Sequence, residues 1–208
     1  MSSPSPKDVN PTDLGVLDAI RQRWSPYRFE DRWVEDEKVV RCLEAARWTA
    51  SSYNDQPWSW IVARRQDTEP FQTMLSCLLE ANQAWASQSG VLLISVIRTT
   101  FRKNQKPNRV ALHDLGQAAA HLALQATQIG LQVHQMAGLN LSRVRQIYEI
   151  PDSHQPQTAI AIGYPDRSAP VTEVDRELQQ RETRARERMP LRDQVFSSKW
   201  GNTSSILK

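Results

Sequence analysis

Three short stretches hold the side chains best suited to grip a ligand. The first is Arg23-Trp24-Ser25-Pro26-Tyr27-Arg28-Phe29. A guanidinium fork with a hydroxyl two residues on suits a phosphate, because both donate to anionic oxygens. The second runs from Ala50 to Trp58 and holds Ser51, Ser52, Asn54 and Gln56 ahead of Pro57. The amides of Asn54 and Gln56 each donate and accept, so they match a ring edge that alternates carbonyl and N–H groups. The third, Arg186-Glu187-Arg188-Met189-Pro190-Leu191, offers two more guanidinium groups ended by a proline. Taken singly, solvated arginines or a structural turn would explain any of the three.

The usual catalytic signatures are absent. The chain has no GxSxG, P-loop, GxGxxG or HExxH pattern. His113, His121, His134 and His154 are not at metal spacing, although the first two stand two turns apart in one helical segment. Cys42 and Cys77 are isolated and read as reduced, buried thiols rather than metal ligands. If the chain is an enzyme, a bound cofactor carries the reactivity and the protein supplies binding and electrostatics.

The elements that must position these groups follow from periodicity. With 208 residues, the chain is expected to fold as one domain with appended arms. The net charge of +3 permits an anionic small ligand and does not point to nucleic acid. Residues 1–11, rich in proline and serine, read as an arm without regular structure. Thr12 or Asp13 is expected to cap a first helix carrying Leu14, Leu17 and Ile20. A second helix is expected from Asp36 to Trp48, with Val39, Val40, Leu43, Ala46 and Arg47 in its stripe. Strands are expected at 58–65, 90–97, 131–138 and 157–165, the second a continuous apolar run and so buried. A helix at 67–80 is expected to continue loosely to Ser87. A long helix from Val110 to Gly130 shows Leu112, Leu115, Ala119, Leu122, Ala123 and Ala126 at helical spacing. Ser142 is expected to cap a short helix to Tyr148. Between Glu173 and Asp193 six arginines face six acidic residues, which reads as a mixed-charge helix and arm. Interleaved helices and strands imply an α+β or α/β sandwich.

The loop 98–109 carries five basic residues and no acidic one. It reads as solvated and mobile; apart from Phe101 it lacks the interleaved aromatics of a nucleic-acid binder. The longest apolar run is strand-sized and the start has no apolar signal region, so no membrane partner and a cytoplasmic location are expected.

Five stretches in register resemble the nitroreductase family of flavin-mononucleotide (FMN) oxidoreductases, over roughly residues 14 to 195. RWSPYRF is similar to its Arg-x-Ser motif. ASSYNDQPW is similar to its Pro-Ser-Ser-x-Asn-x-Gln-Pro-Trp motif, with Ala50 in the place of the first proline. HDLGQAAAHLALQATQIGLQVHQMAG resembles its central helix and Gly-ended strand, and AIAIGYP and RERMPL complete the set.

The resemblance implies an α+β fold, a mostly antiparallel sheet covered by helices, in an intertwined homodimer with FMN at the interface. It implies an FMN-binding domain over 12–170 and a C-terminal helix and arm over 171–208 that packs on the partner. Arg23 and Ser25 would contact the flavin phosphate, joined by Arg186 or Arg188, with Trp24, Tyr27 and Arg28 in the same motif. Asn54 would bond the pyrimidine side of the ring, with Ser51, Ser52 and Gln56 lining that loop. Gln135, Met136, Ala137 and Gly138 would pass along the flavin face. The implied reaction is ping-pong: NAD(P)H gives hydride to flavin N5, and a nitroaromatic, quinone or similar acceptor takes the electrons. A flavin carrier or sensor without nicotinamide turnover is the alternative. Many family members carry a basic residue where Tyr27 stands, so Arg28 is the candidate to replace it near flavin N1 and O2. Arg102, Lys103 and Lys106 are candidates to meet the extra phosphate of NADPH.

Overall fold

A computed structural model describes residues 10–12 and 14–207. The expected arm at 1–11 and the candidate cap Asp13 therefore lie largely outside the described residues. The described chain forms, in order, α1 (Asp18–Gln22), α2 (Asp36–Arg47), β1 (Trp58–Arg64), α3 (Thr68–Leu75) and α4 (Glu80–Ala86). There follow β2 (Val91–Arg98), α5 (Ala111–Gln128), β3 (Gln132–Met136), α6 (Leu141–Ile147), β4 (His154–Gly163) and α7 (Glu173–Thr183).

The strands form one antiparallel sheet in the order β1-β2-β4-β3. Central β2 is buried on both faces up to Arg98, as its unbroken apolar run demands. Alternation then sorts the core into two layers. Val91, Leu93, Ile160 and Ile162 pack with Cys42, Ala46, Leu115 and Leu122 of α2 and α5. Leu92, Ile94, Ala159 and Ala161 pack with Phe71, Met74, Trp85 and Val144 of α3, α4 and α6. The fold is thus a three-layer α+β sandwich, as expected.

Four local expectations are corrected. The first helix starts only at Asp18, and Leu14 and Leu17 stand 65% and 68% exposed. Val40 leaves the stripe of α2, whose buried positions are Val39, Cys42 and Ala46. The segment after 67 breaks into two helices, because Cys77 to Leu79 pairs instead with 138–140: the Cys77 and Gly138 carbonyls accept from Asn140 and Leu79. Asn140, not Ser142, caps α6 through a bond from the Arg143 amide.

Candidate functional site

Residues 23–29 run extended, and alternation decides what each one does. Arg23, Ser25 and Tyr27 are half-buried and line one cleft; Trp24, Pro26 and Arg28 turn into the protein. The cleft is about 350 Å³ and is also lined by His134, Arg181, Arg184, Arg186 and Arg188. Burial and then the charge of Arg188 lower the pKa of Arg23; burial, Arg23 and Arg188 lower that of Arg186. Guanidinium groups that depress one another this way favour an anion between them. The residues therefore fit a phosphate.

Glu182, the one carboxylate among the lining residues, faces inward. It accepts from the Tyr27 and Arg28 amides at 2.8 and 3.2 Å and from Arg28 Nε at 3.4 Å. Burial pushes its carboxyl pKa up, against the pull of those donors. The arm carrying Arg184, Arg186 and Arg188 starts immediately after this anchor. Nothing in the sequence singled out Glu182 among its charged neighbours.

Arg28 is corrected by the same geometry. Its side chain is 5% exposed, and Nη2 donates to the carbonyls of Asp166 and Ser168 at 3.1 and 2.9 Å. It ties α7 to the body and does not line the cleft. Arg181 does: its guanidinium lies over the Tyr27 ring, 4.0 Å from the centroid, and it donates to the Tyr27 hydroxyl at 3.0 Å. Trp24 packs in the core, and its amide donates to Gln132 Oε1 at 3.1 Å.

His134 closes the inner wall. Its ring stacks on Trp85 at 4.3 Å and meets the edge of Tyr27 at 4.6 Å. Nδ1 lies 2.8 Å from the Pro26 carbonyl, which fixes the proton on that nitrogen. Burial is the main cause that lowers its pKa, so the imidazole is neutral at pH 7. Beyond it, Gln135 and Ala137 are exposed while Met136 is buried in the core. Met136 can therefore offer a ligand only its backbone. A Cβ on Gly138 would lie 2.4 Å from Asn82 Nδ2, which donates to the Gly138 carbonyl at 3.0 Å. A larger residue here would displace the Asn82 amide from that bond.

The second half of the site is the elbow before β1. Tyr53, Asn54 and Gln56 all have positive φ, at 54°, 54° and 48°. Such conformations cost about 1–3 kcal/mol each and gather at functional sites. The Gln56 amide donates to Ser51 Oγ at 3.0 Å, and Gln56 Nε2 to Asn54 Oδ1 at 3.1 Å. The Ser52 amide donates to buried Asp114 at 3.0 Å, at the start of α5. Ser51, Ser52, His113, Asp114 and Gln117 line a hollow of about 310 Å³ there. Trp58 is buried, fixing the strand that follows.

The loop 98–109 is not simply solvated. The Arg102 amide donates to Asp55 Oδ1 at 2.7 Å, and its side chain donates to the carbonyls of Asp55 and Gln56 at 3.1 and 3.3 Å. The structure thus joins Arg23, Ser25, Tyr27, Arg186 and Arg188 in one place, and Ser51, Ser52, Asn54 and Gln56 in another. The elbow sits at Asp114 and the Trp24–Gln132 contact at Thr127, so α5 separates the two by about 20 Å.

Comparison with known proteins places the whole chain rather than the site. The model of the nitroreductase family matches residues 20–164. The chain belongs to the nitroreductase family. An oxidoreductase crystal structure described as containing FMN matches this nitroreductase-family chain with a TM-score of 0.85 and 28% identity, covering 96% of this chain and 100% of that one. A nitroreductase family protein from Clostridium difficile 630 shares the fold at a TM-score of 0.67 and 23% identity, covering 89% and 99%. A Methanothermobacter thermautotrophicus protein carried provisionally as an NADH dehydrogenase/NAD(P)H nitroreductase is 24% identical over 163 residues, 76% of this chain and 81% of its own.

Proposed function

We propose that this nitroreductase-family protein is an FMN-dependent oxidoreductase. It would draw hydride from NAD(P)H and reduce a nitroaromatic, quinone or similar small acceptor. The observation that carries the reading is the cleft where Arg23, Ser25, Arg186 and Arg188 converge, its one carboxylate, Glu182, being engaged by the Tyr27 and Arg28 amides. A bound flavin supplies the chemistry, accepting two electrons from a nicotinamide donor and yielding them to an acceptor. The chain's residues bind and orient. The guanidinium groups and Ser25 hold the phosphate; Asn54 recognises the polar ring edge; exposed Gln135 and Ala137 border the ring.

The working unit would be a homodimer. One copy holds the two half-sites at opposite ends of α5, and a second copy packed against that helix would bring its elbow to the first copy's cleft. Leu112, Gly116 and Ala120 form an exposed stripe of small and apolar residues on α5 that permits such packing. Exposed Met189, Leu191 and Trp200 of the C-terminal arm would cover the partner. Among the described residues no helix is long and apolar enough to cross a membrane.

Anaerobic visible spectra test the function. The purified protein should show a flavin band that bleaches on adding NADPH or NADH and returns with a nitroaromatic or a quinone. A band that persists with both donors would overturn nicotinamide turnover and favour the carrier. No band after incubation with FMN would overturn the cofactor itself.

A further inference from the structure

The elbow holds three non-glycine residues in the left-handed region, and such a backbone persists only where its surroundings over-determine it. One side chain of the elbow is turned fully inward. Asp55 is 5% exposed at its side chain, while Tyr53 and Asn54 on its chain side are exposed. Its two oxygens accept from Arg98 Nη2 at 3.1 and 3.2 Å, and one also accepts the Arg102 amide at 2.7 Å. Arg98 ends β2, the central buried strand, and its own amide donates to the Pro57 carbonyl at 2.8 Å. The carboxylate therefore joins the exposed elbow to the end of a central, buried strand of the sheet.

Arg102 completes the enclosure. Its guanidinium grips the carbonyls of Asp55 and Gln56, and Gln56 Nε2 in turn donates to the Asn54 carbonyl and Oδ1 at 3.0 and 3.1 Å. With Oδ1 so engaged, the N–H donors of exposed Asn54 are the groups it would offer a ligand carbonyl. We propose that Asp55, clamped by Arg98 and the Arg102 backbone, is a positioning residue that sets the Asn54 amide for ring recognition. This rests on the FMN reading given above. It also reassigns Arg102: its guanidinium holds the elbow, which leaves Lys103 and Lys106 as the candidates for contact with NADPH.

The test compares Asp55→Ala, Asp55→Asn and Arg98→Ala in the full chain. The readouts are dissociation constants for FMN and for riboflavin, the bound-flavin spectrum and a thermal melt. Riboflavin lacks the phosphate and so isolates the ring half of the site. Asp55→Ala and Arg98→Ala should weaken FMN and riboflavin by the same factor, tenfold or more on the order expected for a lost charged hydrogen bond, and shift the bound-flavin band. Asp55→Asn keeps an acceptor for the Arg102 amide and should fall between. If Asp55→Ala does not fold, the other two variants decide. Folded variants that bind both flavins as the parent does, with an unchanged spectrum, overturn the proposal alone. A parent chain that takes up no flavin overturns the cofactor reading, and this proposal with it.

Discussion

The period-two alternation along Arg23 to Arg28 separates cleft-lining residues from anchors. Arg23 lines the cleft, so Arg23→Ala should weaken FMN at least tenfold, on the order of a lost charge-assisted contact. Riboflavin affinity should stay unchanged, as fluorescence titration of both flavins would show. Arg28 lies on the other side of the alternation. Removing it leaves the Glu182 carboxylate, which is 2% exposed, with backbone amides but no opposite charge, and loss of one partner of a buried pair costs about 3–5 kcal/mol. Arg28→Ala should therefore lower the unfolding midpoint sharply, rather than act selectively on flavin potential. His134 makes the pH dependence readable. Its folded pKa lies below 6.5, so below that pH the unfolded chain binds a proton that the folded chain refuses. Stability should fall as the pH drops from 6.5 through the folded value. His134→Gln should remove part of that loss in melts of flavin-free protein at about pH 7.5 and about pH 5; His154 contributes in the same direction.

At the scale of elements, α7 is an arm held at its end. Thr172 and Asp175 form a capping box at its start, and Glu182 fastens its last turn to the Tyr27 and Arg28 amides. Glu182→Ala should free residues 184–190, which limited proteolysis would show as faster cleavage there. FMN affinity should fall with it, because Arg186 and Arg188 lose their fixed point. The break between α3 and α4 has the same logic: a continuous helix would forfeit the pairing with 138–140 that draws Asn82 against Gly138. Helical periodicity through 67–87 concealed that break, since the competing bonds come from residues some sixty positions later.

At the scale of the molecule, the arginine cleft and the amide elbow lie at opposite ends of α5, with Leu112, Gly116 and Ala120 exposed between them. Ala120→Arg places a long charged side chain on that stripe without disturbing the core. On the homodimer proposed above, it should shift the protein from dimer to monomer in analytical ultracentrifugation and weaken flavin binding together. A dimer that persists with full flavin affinity would place the interface elsewhere.

The sequence by itself determined the sandwich: the apolar run at 91–97, the helical spacing of 111–128 and the turn residues between them leave few alternatives. It also singled out Arg23, Ser25, Asn54 and the C-terminal arginines as candidate ligand contacts, through their types, their spacing and the family resemblance. The tertiary structure decided orientation and company. Arg28 and Arg181 are both arginines near Tyr27, yet only long-range contacts show that one is buried against Glu182 and the other caps the cleft. Likewise Asp55 and Arg102 read as turn and loop residues until the fold brings them within 2.7 Å. Local periodicity records which face of an element is apolar; it carries no record of which distant charge waits on the other side.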